Sequence, residues 1–146
     1  MAIGDTLQPY IQPEQKEKLD LSFLVADDEP IIRESLERLI GFNYPIITVA
    51  NGQKLIDAPI SNPGRFNIIL TDNDMLQDDE GIEAIRKIRA MEQFKNLPIV
   101  IMTGRPKNED FYEELQKLKV VLIEKPFRYN DLLEKIKEAR SKVKSP

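Results

Sequence analysis

Between Leu21 and Val143 the chain alternates short apolar runs with longer segments of helical period. The runs Leu21 to Ala26, Ile46 to Ala50, Ile68 to Thr71, Ile99 to Met102 and Val120 to Ile123 are rich in Val, Ile and Leu, which suits buried strands. Ile31, Ile32, Ser35, Leu36, Leu39 and Ile40 follow helical spacing behind Pro30, a residue favoured in a first helical turn, and Gly41 ends that helix. Asn51-Gly52 turns into a weaker helix around Gln53 to Ile60, cut by Pro59 and Pro63. Gly81 to about Phe94 carries Ile82, Ile85, Ile88 and Met91 on one stripe, with Arg86, Lys87 and Arg89 outside it. Glu109 to Leu118 and Tyr129 to Val143 complete five helices. Strand and helix in strict alternation predict βαβ units and a parallel sheet, with few topologies left once crossovers are right-handed. Residues 1–20 break the pattern: they are polar, interrupted by Pro9 and Pro13, and read as an arm or linker ahead of a domain at 21–143.

In an open parallel α/β sheet all strand C-termini share one edge, where ligands bind. Four of the apolar runs end there in polar residues: Asp27-Asp28, Asp72, Thr103, and Glu124-Lys125-Pro126. Adjacent acids at one strand end make a hard oxygen site suited to Mg2+, although Asp27-Asp28 equally suit a cap for the helix that follows. Asp72, with Asp74 two residues on, would face them, and carboxylates so close repel unless a cation intervenes. With that charge balanced, a carboxylate can attack phosphorus and become an aspartyl phosphate. A phosphoryl group there needs a hydroxyl donor and a fixed cation, which Thr103 and Lys125 supply. The simpler readings are a strand-end threonine and a surface lysine. The bond before Pro126 is a candidate cis peptide.

Composition narrows the chemistry. The 146 residues include no cysteine and no histidine, so disulfides, thiol chemistry and imidazole catalysis are excluded, and carboxylates, hydroxyls and lysine remain. At 41% hydrophobic content the chain can bury one full core. A net charge of −4 gives no electrostatic reason for direct nucleic acid contact. No apolar run reaches membrane-spanning length, so no membrane partner and a cytoplasmic location are expected.

The segments Phe23-Leu24-Val25-Ala26-Asp27-Asp28-Glu29-Pro30, Ile69-Leu70-Thr71-Asp72-Asn73-Asp74-Met75, Ile101-Met102-Thr103-Gly104 and Glu124-Lys125-Pro126-Phe127 together resemble the receiver domain of two-component response regulators. The likeness covers about residues 21 to 143. Each segment is a weak signal alone. Their order and separations, 44 residues from Asp28 to Asp72 and 22 from Thr103 to Lys125, fit the family. The resemblance implies a flavodoxin-like, doubly wound five-stranded sheet of order 2-1-3-4-5 with helices on both faces. It also implies that Asp72 accepts a phosphoryl group from a sensor histidine kinase or phosphotransfer protein. Asp28, Asp72 and the backbone carbonyl of Asp74 would hold Mg2+, with Asp27 acting through water. Thr103 and Lys125 would each hold a phosphoryl oxygen. Such a domain is a regulatory acceptor rather than an enzyme, and passes its signal to a downstream protein or an attached domain.

Several positions depart from the family pattern. Leu76 stands where proline is usual, Gly81 comes nine rather than eight residues after the acceptor, and Leu118-Lys119 replaces a Gly-Ala pair. Leu122, three residues before Lys125, replaces an aromatic switch residue, so transmission through an aromatic rotamer cannot operate at that position. Asp74 and Arg105, two residues after the acceptor and two after the threonine, are expected to pair across the mouth of the site and slow hydrolysis. Two other readings stay open. A pseudo-receiver would keep the fold as an interaction module. A haloacid-dehalogenase-type phosphohydrolase would use Asp72-Asn73-Asp74, but its acidic pair should come first in the chain. No output domain is recognisable after Val143, which is compatible with a stand-alone regulator, an N-terminal receiver or the C-terminal receiver of a hybrid kinase.

Overall fold

The computed structural model describes residues 19–144; the arm expected over residues 1–20 therefore lies, up to residue 18, outside the described residues. Among the described residues, five strands alternate with five helices: β1 (Phe23–Ala26), α1 (Pro30–Gly41), β2 (Ile46–Val49), α2 (Gly52–Ser61), β3 (Ile68–Asp72), α3 (Glu80–Arg89), β4 (Ile99–Thr103), α4 (Glu109–Lys117), β5 (Val121–Glu124) and α5 (Tyr129–Lys144). All neighbouring strands pair in parallel, in the order β2-β1-β3-β4-β5. The expected order is thus the observed one.

Side chains alternate across a strand, so each run feeds two cores. Leu24, Ala26, Ile69, Ile99 and Ile101 pack with Leu55, Ile82, Ile85, Ile88, Phe111 and Leu115 of α2, α3 and α4. Phe23, Val25, Ile68, Leu70, Val100 and Met102 pack on the other face with Leu36 and Ile40 of α1 and Leu132, Ile136 and Ala139 of α5. Leu19 and Leu21 join this second cluster. Burial on both faces explains why the three central strands read as continuous apolar runs.

Two helices differ from the sequence expectation. The segment expected to run from Gly81 to Phe94 is helical only over Glu80–Arg89, and a short 3-10 turn follows at Glu92–Phe94. Arg89 accounts for the break. Its guanidinium, largely buried, donates to the carbonyls of Leu118, Phe94 and Leu97 at 2.7, 3.0 and 2.6 Å, and so folds the chain back after the helix. Burial lowers its pKa to about 10. In α2 the helix continues through Pro59 to Ser61, with Pro59 on the buried face beside Leu55. Its start is fixed by Asn51, whose side chain accepts from the Lys54 amide at 2.9 Å.

Candidate functional site

The register of the sheet brings the strand ends together. Ala26 pairs with Thr71, Asp72 with Met102, and Thr103 with Glu124, so the residues that follow β1, β3, β4 and β5 emerge at one edge. Among the described residues, Asp27, Asp28 and Asp72 form a group in which one carboxylate oxygen from each lies within 4.8 Å of the other two. Asp27 is fully buried, Asp72 is buried, and Asp28 is half-exposed at the rim of a cleft of about 500 Å3 that Asp74, Gly104, Arg105 and Lys125 also line.

Asp27 does not cap α1. Its Oδ1 accepts from the Glu29 amide at 2.9 Å, the first helical residue is Pro30, and no side chain bonds the helix N-terminus. Its other oxygen, Oδ2, lies 3.3 Å from Lys125 Nζ, and the same ammonium is 3.3 Å from Asp72 Oδ1. One lysine therefore serves two acids. Burial pushes the Asp72 carboxyl up to about 6, and the charge of Asp27 adds to that, against the opposing pull of Lys125 and the Asn73 N–H. For Lys125, burial pulls downward, but Asp72 and Asp27 outweigh it and the pKa is raised. Three carboxylates against one ammonium leave a deficit of positive charge, and an all-oxygen set of this kind fits Mg2+.

Thr103 is buried beside Lys125, whose amide donates to the Thr103 carbonyl at 2.8 Å. The Lys125–Pro126 peptide is cis, as its place before proline suggested. Asp74 is not in the carboxylate group. Its side chain turns toward cations instead: Oδ2 is 2.9 Å from Arg105 Nη2 and 3.1 Å from Lys107 Nζ, and Oδ1 accepts from the Asp79 amide at 2.8 Å. Burial would raise the Asp74 pKa, but the Asp79 N–H, Arg105 and Lys107 reverse that and hold it below the ordinary value. The Asp74–Arg105 pair expected from the family resemblance is thus present.

Lys107 and Asn73 escaped the sequence reading. Lys107 binds both Asp74 and Asp79, the latter at 3.2 Å, with only 14% of its side chain exposed. A lysine in a Pro- and Asn-containing loop carries no period to mark it. Asn73 ties the β3–α3 loop together: its Oδ1 accepts from the Ile82 amide at 3.1 Å and its Nδ2 donates to Asp79 at 2.9 Å. Gly81 closes the same loop from the other side. A Cβ there would lie 2.2 Å from the Asp72 carbonyl oxygen, so only glycine lets α3 start this close to β3.

The model of the response regulator receiver domain matches residues 23–137. The chain is 31% identical over 120 residues to chemotaxis protein CheY-3 of Vibrio cholerae, covering 80% of this chain and 89% of that protein. Chemotaxis protein CheY4 of Vibrio cholerae superposes with a TM-score of 0.71 at 23% identity, over 83% of this chain and 99% of that one, a likeness of fold. A CheY-like response regulator receiver domain protein of Methanospirillum hungatei gives 0.69 at 28% identity, over 85% and 97%. A family model spanning most of the chain, met by this sheet order and this acidic edge, shows that the chain belongs to the response regulator receiver domain family.

Proposed function

We propose that this chain is the phosphoacceptor of a two-component system, and that Asp72 takes the phosphoryl group. The observation that supports this most directly is the meeting of Asp27, Asp28 and Asp72, with Lys125 3.3 Å from both Asp27 and Asp72 and Thr103 one strand away. The donor would be a phosphohistidine on a sensor kinase or phosphotransfer protein. An Asp72 carboxylate oxygen attacks phosphorus, the P–N bond breaks, and the electron pair leaves with the imidazole nitrogen. With a pKa of about 6, Asp72 is mostly the carboxylate this step needs at neutral pH.

Asp28, Asp72 and the Asp74 backbone carbonyl would hold Mg2+, and Asp27, already engaged by Lys125 and the Glu29 amide, would act through water. Bound Mg2+ would supply the positive charge that the carboxylates and phosphoryl oxygens lack. Lys125 stays between Asp27 and Asp72 and balances one phosphoryl oxygen; Thr103 donates its hydroxyl to another. The domain at 21–143 acts as a regulatory acceptor in the cytoplasm. Its partners are proteins or an attached output domain rather than nucleic acid or membrane. No helix among the described residues is long and apolar enough to cross a membrane.

Mass spectrometry after incubation with acetyl phosphate and Mg2+ tests the assignment. One phosphoryl group should appear in wild type, vanish in Asp72→Asn and persist in Asp74→Asn. Phosphate retained in Asp72→Asn would sink it.

A further inference from the structure

The Thr103 hydroxyl is already in use. It donates to the Arg105 carbonyl oxygen at 2.8 Å, and the Arg105 amide reaches back to the same hydroxyl at 3.3 Å. To bond a phosphoryl oxygen on Asp72 it must release Arg105, so loading exchanges a contact inside the β4–α4 loop for one at the site. Two residues further on, that loop is fastened to α4. The Lys107 backbone N–H donates to the phenol oxygen of Tyr112 at 3.1 Å, and the Lys107 ammonium lies 5.7 Å from the centre of the Phe111 ring. Tyr112 in turn lines a cleft of about 100 Å3 with Thr103, Gly104, Pro106 and Lys125. The ring is therefore next to open space on the threonine side. Leu122 packs against the core from β5 and has no polar atom to join this network.

We propose that the Lys107 N–H and Tyr112 carry the movement of the Thr103 loop into α4, in place of the aromatic side chain missing at position 122. This rests on phosphorylation of Asp72. When Thr103 turns to the phosphoryl group, residues 104–107 follow it, the Lys107 N–H draws the Tyr112 phenol toward the cleft, and the half-exposed ring changes the surface of α4. The ion pairs of Lys107 with Asp74 and Asp79 hold the loop in its unloaded position. Both states are thus defined by named contacts, as a coupling between two sites requires.

Backbone amide NMR of the full chain, recorded with Mg2+ alone and with Mg2+ plus beryllofluoride as a phosphoryl mimic, tests this. The readout is the loaded-minus-unloaded shift in each variant, which cancels the local effect of a substitution. In wild type, amides at 72–74 and 103–107 and those of α4 should all shift. In Tyr112→Phe, which keeps the ring and loses the hydroxyl, the site amides should shift as in wild type while the α4 shifts fall at least threefold. Equal α4 shifts in both proteins would overturn the proposal, as would a wild type whose site responds while α4 stays still. A wild type with no response around Asp72 would instead remove the phosphoacceptor reading, and the relay with it.

Discussion

At the scale of single residues, the site is an electrostatic liability in the absence of metal. A buried carboxyl raised from an ordinary value near 3.8 to about 6 destabilises the fold by on the order of 3 kcal/mol when charged. The sign follows from proton binding. Below about pH 4 Asp72 is protonated in both folded and unfolded chains, and the penalty is absent. Between about pH 4 and 6 the folded chain keeps a proton that the unfolded chain has released, so this contribution to stability falls as pH rises; above about 6 the full penalty is present. Asp72→Asn should therefore stabilise the metal-free protein by about 1–3 kcal/mol at pH 7.5. The gain should shrink toward zero near pH 4, measured by urea unfolding in EDTA. A gain independent of pH would show that the carboxylate charge is not its source. Asp27, Asp72, Thr103 and Lys125 were legible in the sequence because each directly follows or ends an apolar strand, and Asp28 because it adjoins Asp27. Asn73 was not, because its role depends on reaching Ile82 and Asp79 across a loop whose closure no local pattern encodes.

At the scale of elements, the β3–α3 and β4–α4 loops are clasped by charge. Arg105 bridges Asp74 and Asp78 at 2.9 and 3.1 Å, while Lys107, far less exposed, holds Asp74 and Asp79. The family resemblance foretold the Arg105 pair but not the Lys107 one. Periodicity foretold helix α3 but not its early end, because it placed Arg89 on the polar face whereas the guanidinium turns back to cap three carbonyls. The exposed clasp is weak as a source of stability. Its position matters more: Arg105 lines the same cleft as Asp72, where a water would have to approach to hydrolyse a phosphoryl group carried there. Arg105→Ala should shorten the phosphoryl lifetime by roughly two- to fivefold, the rate equivalent of a weak exposed contact. Adding Asp74→Ala should change little more at the cleft mouth, where the two side chains act through one pair and the other Asp74 contacts run to Lys107 and the Asp79 amide. Autodephosphorylation followed by loss of the phosphorylated mass provides the check. A lifetime unchanged in Arg105→Ala would dismiss the lid, and strictly multiplicative effects would show two independent residues.

At the scale of the whole molecule, topology was the most legible level. Five apolar runs separated by amphipathic helices leave little freedom, and the structure joins them in the expected order, with both faces of the sheet buried. The same topology ties global stability to the site. Asp27, Asp28 and Asp72 continue β1 and end β3, two adjacent strands in the middle of the sheet, so their repulsion cannot be relieved by local fraying without opening the core. A cation bound by the folded chain alone stabilises it by RT ln(1 + [L]/Kd), about 2.7 kcal/mol at one hundred times Kd. For a domain of this size that corresponds to a rise in Tm of roughly 8–12 °C. Calorimetric scans at pH 7.5 should therefore show the Tm of wild type climbing with the logarithm of Mg2+ concentration. Asp28→Asn should flatten that climb, because this half-exposed carboxylate at the cleft is the one expected to touch the ion directly. Asp27→Asn should flatten it less, since Asp27 is buried and already bonded to Lys125 and the Glu29 amide. The metal-free Tm of Asp28→Asn should also lie above that of wild type, one repelling charge having been removed. If both variants track wild type at every Mg2+ concentration, the ion is held elsewhere and the acidic edge is not its site.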